Sequence, residues 1–210
     1  MKRVIVVDAG MGNIRSVVRA LDEAAKRGAV DARLEVSGAP DALRAAHAIV
    51  FPGQGAFRDC SRALVARGLG DALRESIARG VPYFGICLGL QALFASSEEA
   101  PNCAGLSVFP GRVVRLDARG EKLPHVGWNQ AEPITSSGRT TWLLDAPADF
   151  YFVHTFVASP DDPTLACATT EHGTRFVSAI EKDNVAAVQF HPEKSQRAGL
   201  AMLERFLKRC

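Results

Sequence analysis

The sequence predicts an α/β fold with a mostly parallel central sheet, helices on both faces and an antiparallel β extension in its second half. Two observations indicate this class. Short apolar runs alternate with helically spaced apolar residues over roughly the first 90 positions, and β-rich segments follow after about residue 105. No repeat, Ser/Gly linker or charge block divides the 210 residues. We therefore expect one domain spanning residues 1–210.

In the first half, three of the four predicted strands are short apolar runs next to a glycine turn, and residues 33–36 form a further possible strand. These strands are residues 4–8, 33–36, 48–51 and 82–86. Apolar residues at helical spacing predict a helix from Ile14 to a stop at Gly28, and helical structure from Leu64 to Ile77. Strands that alternate with helices are typical of a parallel sheet covered on both faces.

The second half is predicted to be mainly β-structure, because turn residues separate several short β-prone segments. These segments are residues 108–116, 150–157, 165–170, 176–180 and 185–189. A last helix is predicted over residues 198–207, where Leu200, Leu203, Phe206 and Leu207 are apolar.

Composition excludes several classes of protein. With 47% hydrophobic and 23% charged residues the chain is typical of a soluble globular protein, and its net charge of +2 is too small for bulk-charge binding to nucleic acid or an anionic membrane. Five cysteines without a CxxC pair argue against structural zinc and a complete disulfide framework. The N-terminal apolar run is too short for a signal peptide or membrane span. We expect a cytoplasmic protein without a metal or other cofactor.

The pentapeptide Gly85-Ile86-Cys87-Leu88-Gly89 has the form of a nucleophile elbow with Cys in place of Ser. A sharp strand-to-helix turn would lift the thiol above the sheet, and the helix N-terminus would favour the thiolate. The N–H of Leu88 would be available to a developing oxyanion. By itself the pentapeptide is equally consistent with a buried cysteine that only fills space at a helix start.

The segment His191-Pro192-Glu193, at the end of a predicted strand, supplies a base and a group to orient it. Residues two apart on extended chain point to the same side, and Pro192 stiffens the pair. With Cys87 these residues could form a nucleophile–base–orienter triad. The tripeptide alone favours a solvated His and Glu, and it is the coincidence with the elbow that favours the triad.

Three weaker motifs complete the candidate list. Pro52-Gly53-Gln54-Gly55 can supply a second oxyanion donor, although a plain turn explains it equally well. Gln91 lies four residues after Cys87 and can bind a polar substrate or simply lie at the surface. Gly10-Met11-Gly12 lacks the third glycine of a dinucleotide fingerprint, and we reject NAD binding.

The stretch from Gly85 to Gln91 together with His191-Pro192-Glu193 resembles the class I, triad-type glutamine amidotransferases, and the likeness spans nearly the whole chain. Four further segments resemble the glutaminase subunits of imidazole glycerol phosphate synthases in histidine biosynthesis. These are residues 8–13, 52–55, 124–129 and 191–195. The most specific is Pro124-His125-Val126-Gly127-Trp128-Asn129. The chain departs from the family's common residues at Ala9, Gln54 and Phe156, none of which belongs to the triad.

This resemblance implies a role for individual residues. Cys87 would be the nucleophile, His191 the general base and then acid, and Glu193 the orienting group. The implied oxyanion donors belong to Gly53, Gln54 and Leu88. The positions implied to hold glutamine are Gly55, Gln91, Glu99, His154, Thr155 and Phe156. The positions implied to dock on a (β/α)8-barrel cyclase partner in a heterodimer are Asn13, Trp128, Asn129, Lys194 and Ser195.

Without the resemblance, Trp128 reads as a half-buried core aromatic and Lys194 as a solvated charge. Two other functions stay open at this point. One is a glutaminase that serves another synthase, of the anthranilate or pyridoxal phosphate type. The other is a non-catalytic α/β interaction module.

Overall fold

The computed structural model describes residues 1–135 and 141–210. Its strands are β1 (Lys2–Val7), β2 (Ala32–Ser37), β3 (Ala48–Gly53), β4 (Tyr83–Cys87), β5 (Gly111–Arg115), β6 (His125–Pro133), β7 (Ala148–His154), β8 (Phe156–Pro160), β9 (Ala166–His172), β10 (Thr174–Lys182) and β11 (Val185–Val188). Its helices are α1 (Ile14–Arg27), α2 (Pro40–Arg44), α3 (Phe57–Ala66), α4 (Leu69–Ala78), α5 (Leu88–Gln91) and α6 (Gln196–Arg209).

Among the described residues, nine strands form one sheet in the order β2-β1-β3-β4-β11-β10-β9-β6-β7. The first five strands in this order, β2, β1, β3, β4 and β11, are parallel to one another. The other four, β10, β9, β6 and β7, each pair with their neighbours in antiparallel fashion. A separate antiparallel pair joins β5 to β8. The predicted fold class, with its parallel half and antiparallel extension, is confirmed.

Two hydrophobic clusters cover the two faces of the sheet, because successive strand residues point to opposite sides. Val4 and Val6 face the cluster that holds Leu21 of α1 and Phe206 of α6. Ile5 and Val7 belong to the opposite cluster, with residues of α3 and α4 such as Leu64 and Leu73. The carboxyl ends of β3, β4 and β11 are thereby fixed side by side.

The structure differs from the sequence prediction at several elements. The predicted helical stretch 64–77 is two helices, since Gly68 breaks it with a positive φ of 64°. The predicted strand 150–157 is also two, because β7 pairs with β6 whereas β8 pairs with β5. The pattern did not predict α2 or β6, and β6 is rich in polar residues uncommon in strands. Within the described ranges, no helix is long and apolar enough to cross a membrane.

Candidate active site

Cys87 lies at the junction of β4 and α5 with a backbone conformation that L residues rarely adopt, φ 54° and ψ −101°. Gly89 makes this tight turn possible, because a Cβ there would lie 1.9 Å from the carbonyl oxygen of Phe51. The strained backbone and the thiol's position at a cavity wall do not fit a cysteine that only fills space. The helix that follows has a single turn, so its dipole is much weaker than the sequence prediction assumed.

His191 and Glu193 are buried together just after β11. The Nδ1 of His191 lies 2.9 Å from Oε1 of Glu193, and the two side chains are 1% and 2% exposed. The alternative of a solvated His and Glu is therefore wrong. A carboxylate accepts the proton on Nδ1, so Nε2 is left as the basic atom of the neutral ring.

The Nε2 of His191 is the atom available to the Cys87 thiol. Among the described residues no group makes a hydrogen bond of ordinary geometry with the buried Nε2. Burial by itself lowers the pKa of His191, but interactions with the Cys87 sulfur and the Glu193 carboxylate more than offset it and raise this pKa to about 9. Both interactions therefore make Nε2 of His191 a stronger base towards the Cys87 thiol.

The loop that carries His191 is held against β7. The N–H of His191 donates to the carbonyl of Tyr151 at 2.9 Å, and Ser195 Oγ donates to the carbonyl of His191 at 2.6 Å. Ser195 Oγ also accepts from the N–H of Tyr151 at 3.0 Å. Ser195 is 1% exposed, so its side chain is buried here and not available to a partner, and its place in the docking face stays a prediction. Its hydroxyl fixes the backbone of His191.

A cavity of about 370 Å³ opens above Cys87, within the range of pockets for small ligands. Its walls contain all the residues predicted to hold substrate, together with Cys87, two predicted oxyanion residues, Lys194, and Pro124 and Val153, which were not predicted. They are Gln54, Gly55, Cys87, Leu88, Gln91, Glu99, Pro124, Val153, His154, Thr155, Phe156 and Lys194. Residues far apart in sequence thus form one polar-edged pocket around the thiol.

The glycine-rich end of β3 runs directly beside the elbow. Gly53 pairs in register with Cys87, and a Cβ at Gly53 would lie 2.7 Å from the Cβ of Leu88. Only glycine allows this approach. The backbone of residues 53–55 and the N–H of Leu88 are therefore neighbours at one edge of the cavity, as two oxyanion donors must be.

Two of the polar side chains predicted to bind substrate, Gln91 and Glu99, also have protein partners. Gln91 is 5% exposed, so the surface alternative is wrong, and its Nε2 donates to the Phe156 carbonyl at 3.0 Å and to Gln189 Oε1 at 3.2 Å. Glu99 Oε2 accepts from the N–H of Phe57 at 3.0 Å, at the start of α3. The carboxylate thus stabilises a helix start and lines the cavity.

His154 belongs to a cluster of histidines that sequence reasoning missed. His125 Nδ1 lies 3.0 Å from His154 Nε2, and Asn129 Nδ2 lies 3.2 Å from His125 Nε2 and donates to the Glu171 carbonyl at 2.8 Å. The ring of His172 stacks on His125 with centroids 4.1 Å apart. Within the described ranges no three such side chains form a metal-binding group. The signal for His125 was its place in the 124–129 motif.

Both inner histidines are neutral at physiological pH. Burial, followed by the neighbouring His125, lowers the pKa of His154 to about 3. Burial, followed by His172, lowers the pKa of His125 to about 4. Since Asn129 donates to His125 and His125 donates to His154, the amide of Asn129 sets the tautomers of both rings.

The residues predicted to dock a partner fall into two groups. Trp128 is 50% exposed and contacts the ring of Tyr151, over which Lys194 Nζ lies at 5.6 Å. This exposed aromatic surface does not fit a core role for Trp128 or a merely solvated Lys194. Asn13 is exposed and caps α1 by accepting from the N–H of Ser16 at 3.3 Å. Asn129 instead holds His125, as described above.

Comparisons with known proteins agree with this geometry. The family model described as glutamine amidotransferase class-I matches residues 5–210. The imidazole glycerol phosphate synthase subunit HisH of Nitrosococcus oceani is 44% identical over 99% of this chain and 97% of its own length. The HisH subunit of Moorella thermoacetica is 43% identical over 98% of this chain and 94% of its own length.

Solved structures share the fold at lower identity. The structure titled PurLQS from Thermotoga maritima has a TM-score of 0.75 at 18% identity, with 100% of this chain and 99% of that chain covered. A crystal structure of a glutamine amidotransferase has a TM-score of 0.73 at 21% identity, with 98% and 99% covered. The chain therefore belongs to the class-I glutamine amidotransferases, a family of glutamine-hydrolysing enzymes, and groups within it with the HisH subunits of imidazole glycerol phosphate synthase.

Proposed function

We propose that this chain is the glutaminase subunit of an imidazole glycerol phosphate synthase and uses Cys87, His191 and Glu193 as a catalytic triad. One observation carries the residue assignment: a strained cysteine at a cavity wall interacts with a histidine that is buried with its own carboxylate. The HisH relatives support this synthase over the anthranilate or pyridoxal phosphate type. A non-catalytic module has no need of such a buried charge arrangement.

The proposed reaction begins with proton transfer from the Cys87 thiol to Nε2 of His191. The thiolate attacks the side-chain carboxamide carbon of glutamine, and the carbonyl oxygen becomes an oxyanion. The N–H of Leu88 and a backbone N–H of residues 53–55 stabilise that oxygen. Glu193 keeps the imidazolium in place during this step.

Collapse of the tetrahedral intermediate breaks the carbon–nitrogen bond. His191 gives its proton to the leaving nitrogen, so ammonia departs and a thioester to Cys87 remains. His191 then takes a proton from the water that attacks the thioester, and it returns this proton to the sulfur of Cys87 as the carbon–sulfur bond breaks and glutamate is released. Glutamine is held meanwhile by the polar wall of the cavity, in particular Gln91, Glu99 and the backbone of residues 154–156.

The ammonia is proposed to pass to a separate cyclase subunit with a (β/α)8 barrel, in a cytoplasmic heterodimer. That partner makes imidazole glycerol phosphate and the aminoimidazole carboxamide ribonucleotide by-product, AICAR. The exposed Trp128, with Tyr151 and Lys194 beside it, supplies an aromatic and cationic surface next to the cavity. Aromatic and charged side chains of this kind are common energetic centres of protein interfaces.

The partner is also proposed to complete the oxyanion hole. Gly53 and Gly55 make rotation of a peptide between them energetically cheap. A missing oxyanion donor lowers the rate by roughly 10²–10³-fold. We expect the chain alone to hydrolyse glutamine slowly, and the cyclase with its ribonucleotide ligand to raise the rate by at least that factor.

The test is steady-state glutamate release by the chain alone, with the cyclase, and with the cyclase and its ligand. Cys87→Ala should abolish glutamate release in all three states, while the complex still makes product from added ammonia. Cys103→Ala, which changes a partly buried cysteine outside the cavity lining, is the matched control and should keep full stimulation. Appreciable glutamine hydrolysis by Cys87→Ala would overturn the mechanism, and a rate for the chain alone equal to that of the complex would overturn the switching.

A further inference from the structure

Gln189 is a fully buried polar residue that the triad mechanism does not use. It follows the last residue of β11, two positions before His191, and is 0% exposed. Its Nε2 donates to the sulfur of Cys87 at 3.5 Å, and its Oε1 accepts from Nε2 of Gln91 at 3.2 Å. A buried amide must satisfy both of its ends. Here one end faces the candidate nucleophile and the other faces a candidate substrate-binding side chain.

The direction of these hydrogen bonds follows from one backbone group. The carbonyl of Phe156 can only accept, so the Gln91 atom 3.0 Å from it must be the nitrogen. The same nitrogen then donates to Gln189, which must turn its oxygen towards Gln91. The nitrogen of Gln189 is thereby turned towards Cys87. A carbonyl fixed in the backbone thus ensures that the sulfur receives a donor.

A sulfur that accepts a hydrogen bond is held better as a thiolate than as a thiol. The S–H proton of Cys87 would then be directed to the unpartnered Nε2 of His191 or to the Val153 carbonyl, which is distant at 4.0 Å. His191 interacts with the sulfur from the loop after β11, and Glu193 lies behind it. The neutral His154 and the charged residues Glu99 and Lys194 line the same cavity as Cys87. Gln189 is the one uncharged side-chain donor found on the sulfur among the described residues.

We infer that Gln189 is a positioning residue with two effects: it stabilises the Cys87 thiolate, and it fixes the amide of Gln91 so that the Gln91 oxygen faces the cavity. With both hydrogens of its nitrogen engaged, Gln91 offers substrate only an acceptor. It would therefore recognise an N–H group of glutamine, on the α-ammonium or the carboxamide. The inference rests on the proposed function in one respect, that Cys87 is the nucleophile.

The experiment measures alkylation of Cys87 by iodoacetamide as a function of pH in the full chain without glutamine, with the modified peptide quantified by mass spectrometry. Gln189→Met keeps the length of the side chain and removes the donor. Because hydrogen bonds to charged groups are among the stronger ones, we expect the apparent pKa of the thiol to rise by about one unit. Alkylation at neutral pH would fall about tenfold.

Two features separate this effect from a merely structural one. At a pH well above the thiol pKa, the Gln189→Met chain should be alkylated as fast as the unmodified chain, whereas a misplaced sulfur would react differently at every pH. Gln91→Met leaves Gln189 in place but removes the bond that orients it, and should give a smaller rise. It also tests the inference if Gln189→Met does not fold. Gln130→Met, an exposed change of the same type on β6, is the control.

An unchanged pH profile in Gln189→Met, or in Gln91→Met if only that variant folds, would overturn the inference while leaving Cys87 as nucleophile. The proposed function fails in a distinguishable way. In that case Cys87 of the unmodified chain would react no faster at neutral pH than the partly buried Cys103.

Discussion

Acidification from pH 7 to pH 5 should destabilise this protein through His125 and His154. Burial lowers the pKa of these rings to about 4 and about 3, from an ordinary 6.5, and they are 4% and 6% exposed. A group whose folded pKa is depressed contributes stability above its unfolded pKa and loses it as the pH falls. Below pH 6.5 the unfolded chain therefore binds protons that the folded chain refuses, and the free energy of unfolding decreases.

The magnitude follows from the two pKa values of each ring. An unfolded histidine goes from about one quarter protonated at pH 7 to almost fully protonated at pH 5, whereas the folded rings stay largely neutral. Each ring then lowers the free energy of unfolding by about 2 kcal/mol, and the pair by about 4 kcal/mol at most. His191 acts in the opposite direction. Its pKa is raised, so its contribution is complete below pH 6.5 and is lost as the pH rises through about 9.

The assay is urea denaturation at pH 7 and pH 5, with the change in unfolding free energy compared between variants. His125→Gln should reduce the decrease in unfolding free energy on acidification by about 2 kcal/mol, because the unfolded variant has one histidine fewer to protonate. Both chains contain the same carboxylates, so the pH dependence due to those groups cancels when the two changes in unfolding free energy are compared. His47→Gln, at an exposed position, is the matched control. A pH dependence of His125→Gln equal to that of the unmodified chain would refute the reasoning.

Three predictions concern the reaction itself. His191→Ala should abolish single-turnover glutamate formation. Glu193→Gln should lower its rate by less, because Glu193 only orients and stabilises the base, and equal losses of rate would contradict these roles. Gly53→Ala should lower glutamine hydrolysis by roughly 10²–10³-fold, because the new Cβ meets Leu88 at 2.7 Å and displaces an oxyanion donor, and alkylation of the nucleophile should be unchanged. An unchanged rate of glutamine hydrolysis in Gly53→Ala would show that the oxyanion hole tolerates the displacement of this backbone. Trp128→Ala should weaken stimulation by the cyclase in a titration of glutamate release without altering the basal rate, and full stimulation at unchanged cyclase concentration would rule out this docking surface.

Local sequence was enough to predict the parallel half of the fold and the His191–Glu193 pair of the candidate triad. The strands β1, β3 and β4 are built on short apolar runs, and β3 and β4 also contain glycine or proline, a pattern that depends on residues close in the chain. Glu193 lies two residues after His191, and their 2.9 Å contact forms within one stiff turn at Pro192. These features needed no knowledge of the rest of the chain.

The tertiary structure decided the features that depend on distant partners. Gln189 contacts Cys87 from 102 residues away, and His125 meets His154 across 29 residues. The division of the predicted strand at Thr155 depends on which sheet each half joins, and the burial of Ser195 depends on β7 packing over it. A hydrogen-bond partner or a pairing strand leaves no periodic trace in the segment that meets it. The sequence by itself determined the chemical groups at the site, and only the folded chain decided how each is oriented and which are kept neutral.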